Sequence, residues 1–104
     1  MALMQITIIP LGTATPSVGE HVAEVEHYLR QQGIEHQLQD MGTVLHGEPA
    51  ELFRLAAAIH DLPFTRGVQR VVTHITIDDR RDVRQGLGDK QRAVFHRLAQ
   101  EKGS

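Results

Sequence analysis

The run Arg70-Val71-Val72-Thr73-His74-Ile75-Thr76-Ile77-Asp78-Asp79-Arg80-Arg81-Asp82 narrows the possible folds more than any other stretch of this chain. Branched Cβ atoms crowd a helix and fit a pleated surface, so Val, Ile and Thr in its first half dictate a strand. Successive strand side chains point to opposite faces. Val71, Thr73, Ile75 and Ile77 share a mostly apolar face that should meet a core. Val72, His74 and Thr76 share a mixed face that should meet water, a ligand or another subunit. The strand then runs into five consecutive charges, Asp78 to Asp82, which cannot be buried without partners.

Upstream, Met4-Gln5-Ile6-Thr7-Ile8 alternates as a first strand, with Ile9 and Leu11 following. Gln5 and Thr7 give it a polar face resembling that of His74 and Thr76. Pro10 has no N–H to donate, so it belongs at the strand's end or on an edge. Gly12 to Pro16 form a turn-rich loop, and Ser17-Val18-Gly19-Glu20 has the capping-box pattern of a helix start. Val18, Val22, Val25 and Leu29 follow at helical spacing and Gly33 supplies a left-handed stop, predicting a helix over 17–32. The segment 34–40 reads as a weak second strand. A tight turn or bulge at Gly42 separates it from a third strand, Thr43-Val44-Leu45-His46. Pro49 opens a second helix whose buried stripe is Leu52, Leu55, Ala56 and Ile59; Pro63 ends or kinks it. A helix from Asp89 to Lys102, with Val94, Phe95 and Leu98 apolar, closes the chain.

The resulting order is strand, helix, strand, strand, helix, strand and a terminal helix. This is the α+β, ferredoxin-like βαββαβ pattern: an antiparallel sheet with two helices on one face. Its 104 residues make one domain, 1–104. The face opposite the helices is left open. The side chains of Gln5, Thr7, His74 and Thr76 suit it to packing on a second copy, in a dimer or a dimer of dimers.

Composition removes several function classes. With no cysteine there is no disulfide or thiolate chemistry, in keeping with a cytoplasmic location. No export signal or membrane-spanning run is visible. A formal charge of −2 with interspersed signs, one Tyr and three Phe offer neither a basic patch nor stacking platforms, so nucleic acid is excluded as a partner. The seven histidines are scattered. His21 and His27 lie six apart, about 600° around a helix, and no HExxH or i,i+4 pair marks a metal site. Ser17 is accounted for as a helix cap, without a nucleophile elbow around it. The loop Gly12-Thr13-Ala14-Thr15 reads equally as a plain connection or as donors and hydroxyls for a polar ligand group beside a helix start. Asp78, Asp79 and Asp82 can attract a cation, but Arg80 and Arg81 are placed to pair with them.

Three stretches together carry a resemblance: Ile9-Pro10-Leu11-Gly12-Thr13 with Ser17-Val18; Met41-Gly42-Thr43-Val44-Leu45; and Arg70-Val71-Val72-Thr73 through Ile77-Asp78-Asp79-Arg80-Arg81. In this order, over nearly all of 4–102, they resemble the small thiamine-binding protein family. The resemblance implies a ferredoxin-like fold, homodimers or homotetramers assembled through the sheet, and binding of thiamine or its hydroxymethylpyrimidine portion. Thiamine couples a permanent thiazolium charge to an aminopyrimidine with donors and acceptors along one edge. Its site wants a carboxylate or π-face near the cation and a few convergent hydrogen-bonding groups.

On that reading the hydroxyls of Thr13, Ser17 and Thr43 and the backbone of Pro10, Gly12 and Gly42 read the pyrimidine. Asp40 or Asp78 faces the thiazolium, and Met41 packs on a ring or else in the core. The function expected is non-catalytic binding for sequestration or delivery, with no cofactor besides the ligand and no metal. Two alternatives stand beside it: a small enzyme using Asp78 or His74 as acid–base group, and a domain that serves only assembly.

Overall fold

The computed structural model describes residues 1–14 and 18–102. Strand β1 (Ala2–Leu11) leads through helix α1 (Gly19–Gln32) to β2 (Glu35–Gln39) and β3 (Gly42–Gly47). Helix α2 (Pro49–Asp61) follows, continued by a 3₁₀ turn over Leu62–Arg66; then come β4 (Arg70–Asp78) and helix α3 (Asp89–Lys102). The sheet order is β2-β3-β1-β4 with every neighbouring pair antiparallel, the ferredoxin-like arrangement.

The core is the sandwich of α1 and α2 on the middle of this sheet. Ala2, Met4 and Ile6 of β1 and Leu45 of β3 are buried against Val25 and Leu29 of α1 and Leu52, Leu55, Ala56 and Ile59 of α2. Each large side chain so buried contributes about 1.5–3 kcal/mol relative to exposure. The stripe expected on α2 is the one that is buried. Pro63 ends α2 as expected and is itself fully buried in the 3₁₀ turn. Gly33 caps α1 at φ 66°, its N–H donating to the Arg30 carbonyl while Ile34 N–H reaches Leu29.

Four expectations are corrected. Helix α1 starts at Gly19 with Val18 as its N-cap and no side-chain cap hydrogen bond; Ser17, the residue assigned that role, lies outside the described residues. The turn between β2 and β3 is formed by Asp40 and Met41, with Gln39 already paired to Gly42. Met41 is exposed, so it is no core residue. Strand β4, the stretch most clearly marked as a strand, lies at the sheet edge, and its apolar face meets the core only in part. Its pairing places Ile77, Ile75 and Thr73 beside Met4, Ile6 and Ile8 on the helix-covered side, yet Ile75 remains 45% exposed. The helices sit over the centre of the sheet, where β1 and β3 supply the fully buried strand residues.

Pro10 is tolerated inside β1 for a positional reason. The β3 register ends at Ile6–Thr43, so beyond Ile6 the strand has only β4 beside it. A missing donor there removes no bond on the vacant side. Opposite this vacancy, Gly42 comes close to β1. A Cβ at Gly42 would stand 2.6 Å from Thr7 Oγ1 and 3.0 Å from the Ile6 carbonyl oxygen. Thr7 Oγ1 itself donates to the Met41 carbonyl at 2.8 Å, tying the hairpin turn to the central strand.

Replacing Gly42 with Ala should therefore destabilise the fold by about 1–3 kcal/mol. Urea unfolding checks this, and an unchanged midpoint would mean the hairpin moves aside freely.

Candidate functional site

Where β3 stops and the β2–β3 turn rises, α1 stands off the sheet and leaves a cavity of about 570 Å³. Its floor is Ile6, Ile8 and Thr43, its helical wall Val18, His21, Val22 and Val25, and its rim the hairpin from Leu38 to Gly42. The volume lies within the 300–1,000 Å³ typical of small-molecule pockets, and the lining is mainly apolar with few polar groups. Thr43 is the only buried polar residue among those described, 5% exposed, and it faces this space from the floor. Asp40 is exposed at the rim, and Met41 beside it is 82% exposed.

A second cleft of about 690 Å³ adjoins the first, with His21 in the walls of both. Leu11, Gly12, Thr13 and Ala14 form one side of it, Arg66 to Arg70 another. The Arg66 guanidinium is committed there to Glu24, whose hydrogen bond raises the arginine pKa.

The sequence-assigned residues thus divide into groups. Asp40, Met41, Gly42 and Thr43 border the first cavity, while Gly12 and Thr13 border the second. Pro10 is buried and lines neither, and Ser17 is outside the described residues. Asp78 is corrected outright. It pairs with Leu3 near the other end of β1, on the uncovered sheet face, where Lys90 Nζ lies 3.3 Å from its carboxylate. Grouping it with Thr13 and Thr43 fails because the strand carries it some four residues, about 13 Å, past the cavity.

The rest of the charge cluster pairs internally. Arg81 binds Asp79 at 2.9 Å, and Arg80 binds Asp82 at 2.6 Å, holding the Asp82 carboxyl at about 2. His74 is exposed opposite Thr7 on the uncovered face. Among the described residues no group of three or more metal-ligating side chains forms.

Sequence reasoning missed the floor and the helical wall, above all His21. The signal was present: Val18, His21, Val22 and Val25 share one helical stripe, and a histidine inside an apolar stripe faces what the stripe faces. The helical wall is held near the hairpin by Glu26. Its Oε1 accepts from His36 Nε2 at 2.9 Å, and His36 Nδ1 lies 2.7 Å from the Ile34 carbonyl at the start of β2. Arg30 Nε also donates to Oε1, at 3.2 Å.

Comparison with known proteins shows the family. The model of the thiamine-binding protein family fits residues 4–95. The chain belongs to that family. It is 46% identical over 102 residues to the UPF0045 protein YqgV of Bacillus subtilis, covering 94% of this chain and 98% of that one. A UPF0045 protein of Staphylococcus xylosus is 42% identical over 98 residues, covering 90% of this chain and 92% of the relative. The crystal structure of protein MJ1052 from Methanocaldococcus jannaschii superposes with a TM-score of 0.79 at 28% identity, covering 89% of this chain and 94% of that one. Gly42 and Thr43 border the first cavity, and Gly12 and Thr13 the second.

The Glu26 tie has a pH signature. The hydrogen bond from His36 is the main cause that lowers the Glu26 pKa below 4.5, partial burial opposing it. A carboxylate with a depressed folded-state pKa contributes fully above its unfolded value and loses that contribution as pH falls through the folded one. Glu26→Gln should therefore lower stability at pH 7 and flatten its decline below about pH 4.5. Thermal unfolding from pH 7 to 2 checks this, and parallel curves for both proteins would remove the tie.

Proposed function

We propose that this protein binds thiamine, or its hydroxymethylpyrimidine portion, without transforming it. The observation that carries the reading is the cavity between α1 and the β2–β3 hairpin, bordered by Met41, Gly42 and Thr43. It combines apolar walls for a flat ring, the Thr43 hydroxyl on the floor and backbone polar groups at the hairpin. Asp40 at the rim supplies a carboxylate for the thiazolium, whose charge stays near water where it costs least to hold. The role that follows is sequestration or delivery.

The test is isothermal titration with thiamine and with hydroxymethylpyrimidine, followed by mass spectrometry of the recovered ligand. Saturable heat and unaltered ligand support binding alone. Flat traces overturn the ligand, and a changed mass overturns the absence of turnover. Thr43→Val is nearly isosteric and should weaken binding by about tenfold, the worth of one buried hydrogen bond, with assembly intact. Unchanged affinity removes Thr43 from the site.

The same reading includes a homo-oligomer. Helix α3 exposes Val94, Phe95 and Leu98, at 55%, 67% and 46%. The chain's radius of gyration is 16.3 Å, against about 13 Å for a compact domain of this length. No described helix is long and apolar enough to cross a membrane. A second copy is the partner whose uncovered sheet face, with Leu3, Ile9 and Val72, offers a matching apolar surface. In sedimentation, the wild type should run as a dimer or larger, and Phe95→Glu should shift it toward the 11.6 kDa monomer. A monomeric wild type would discard the assembly.

A further inference from the structure

We propose that the outer edge of β4 is a self-complementary interface. In it β4 of one copy pairs antiparallel with β4 of a second, about a two-fold axis at His74, and joins two four-stranded sheets into one. The inference rests on the homo-oligomer part of the reading above and supplies an interface separate from helix α3.

The two edges of the sheet differ in kind. Strand β2 has five residues, Glu35-His36-Gln37-Leu38-Gln39, and is mostly polar. Short polar edges discourage pairing with other chains. Strand β4 has nine residues, no proline or glycine, and charge only at its two ends, Arg70 and Asp78. Among the described residues no strand lies beyond it. On its core-side face Ile75 is left 45% exposed. A long edge rich in branched side chains is a template for another strand.

The backbone shows which groups that edge offers. The Ile6 carbonyl oxygen points toward Gly42, on the β3 side of β1. Neighbouring residues of an antiparallel strand turn their N–H and C=O to opposite sides. Leu3, Gln5, Thr7 and Ile9 therefore bond to β4, through Asp78, Thr76, His74 and Val72. Val71, Thr73, Ile75 and Ile77 turn their N–H and C=O to the free edge.

The side chains say that the strand received there is a second β4. Residues with outward backbone groups must face one another, which limits the registers to those that keep odd positions opposite odd ones. With the axis at His74, all nine residues pair. Val71 then faces Ile77, Thr73 faces Ile75, and the half-exposed Ile75 gains cover. At each end Arg70 faces Asp78 of the other copy. Arg70 is exposed, and Lys90 Nζ approaches only Oδ2 of Asp78, leaving Oδ1 for the partner's Arg70. Opposite charges directly across a strand pair stabilise it and like charges oppose it. A slip of two residues in either direction shortens the pairing and sets Arg70 against Thr76, or Asp78 against Val72. One register thus satisfies both ends at once, as a two-fold interface requires.

Sedimentation of the wild type, Arg70→Glu, Asp78→Arg and an equal mixture of the two variants tests the pairing. Each variant alone sets like charges opposite at both ends and should associate about tenfold more weakly across this interface. In the mixture, the acid introduced at position 70 meets the base introduced at position 78, while the native Arg70 and Asp78 meet at the other end. Association should return to the wild-type level. Variants that associate as the wild type does, or a mixture no stronger than its components, overturn the edge pairing. A monomeric wild type overturns the homo-oligomer reading with it. Should the variants fail to fold, His74→Cys and Thr76→Cys decide, since the chain has no cysteine of its own. At the axis facing Cα atoms stand about 4.5 Å apart, within reach of a disulfide. Position 76 lies about 13 Å along the strands from its counterpart. With oxidised glutathione, His74→Cys should give a disulfide-linked dimer and Thr76→Cys should not. No linked dimer at position 74, or equal linking at both positions, overturns the register.

Discussion

The fold depends on the burial of one sheet face, concentrated at its centre. Met4 and Ile6 of β1 and Leu45 of β3 have essentially no exposure, and they meet Leu29, Leu52, Leu55 and Ile59 from the two helices. The antiparallel register of Met4 with Leu45 and of Ile6 with Thr43 fixes which residues reach this layer. A slip of one residue would turn Gln5, Val44 and His46 inward. The outer strands contribute little, and so β4 can remain half open despite its apolar side chains.

The cavity follows from that same concentration. Packing is complete where β1 and β3 run side by side, and it ceases where their register ends. Beyond Ile6 the central strand has one neighbour, α1 stands away from it, and the β2–β3 hairpin closes the space from the side. The closure is tight because Gly42 lacks a Cβ where Thr7 Oγ1 and the Ile6 carbonyl approach, and because Thr7 holds the Met41 carbonyl. The hairpin is thus both a structural lid on the end of the core and the rim of the site. The Glu26–His36 pair ties the helical wall to β2.

Much of the fold was legible because the local signals agreed with one another. The α2 stripe, the Gly33 stop, the Pro49 start and the alternation in β1 each reported a periodicity that the tertiary structure keeps. The site was legible in part. Asp40 to Thr43 fall on one continuous rim, which a short motif can mark. His21 and Ile8 are brought to the same space by separate elements, and no spacing along the chain encodes that. Asp78 shows the opposite error: a charged residue at the end of a strongly marked strand looks like a site residue, yet the antiparallel register takes it to the far end of the sheet.

What the sequence determined by itself is the set of elements, their order and the faces they bury, since these depend on contacts within a few residues and on the period of apolar side chains. Only the tertiary structure decided which strand is central and which an edge. It also decided where α1 leaves the sheet, and that His21 Nδ1 is buried without a partner among the described residues. Each of these depends on the register between strands far apart in the chain and on how the helices sit over them. The fit of whole surfaces sets those distances, and no single residue carries that information.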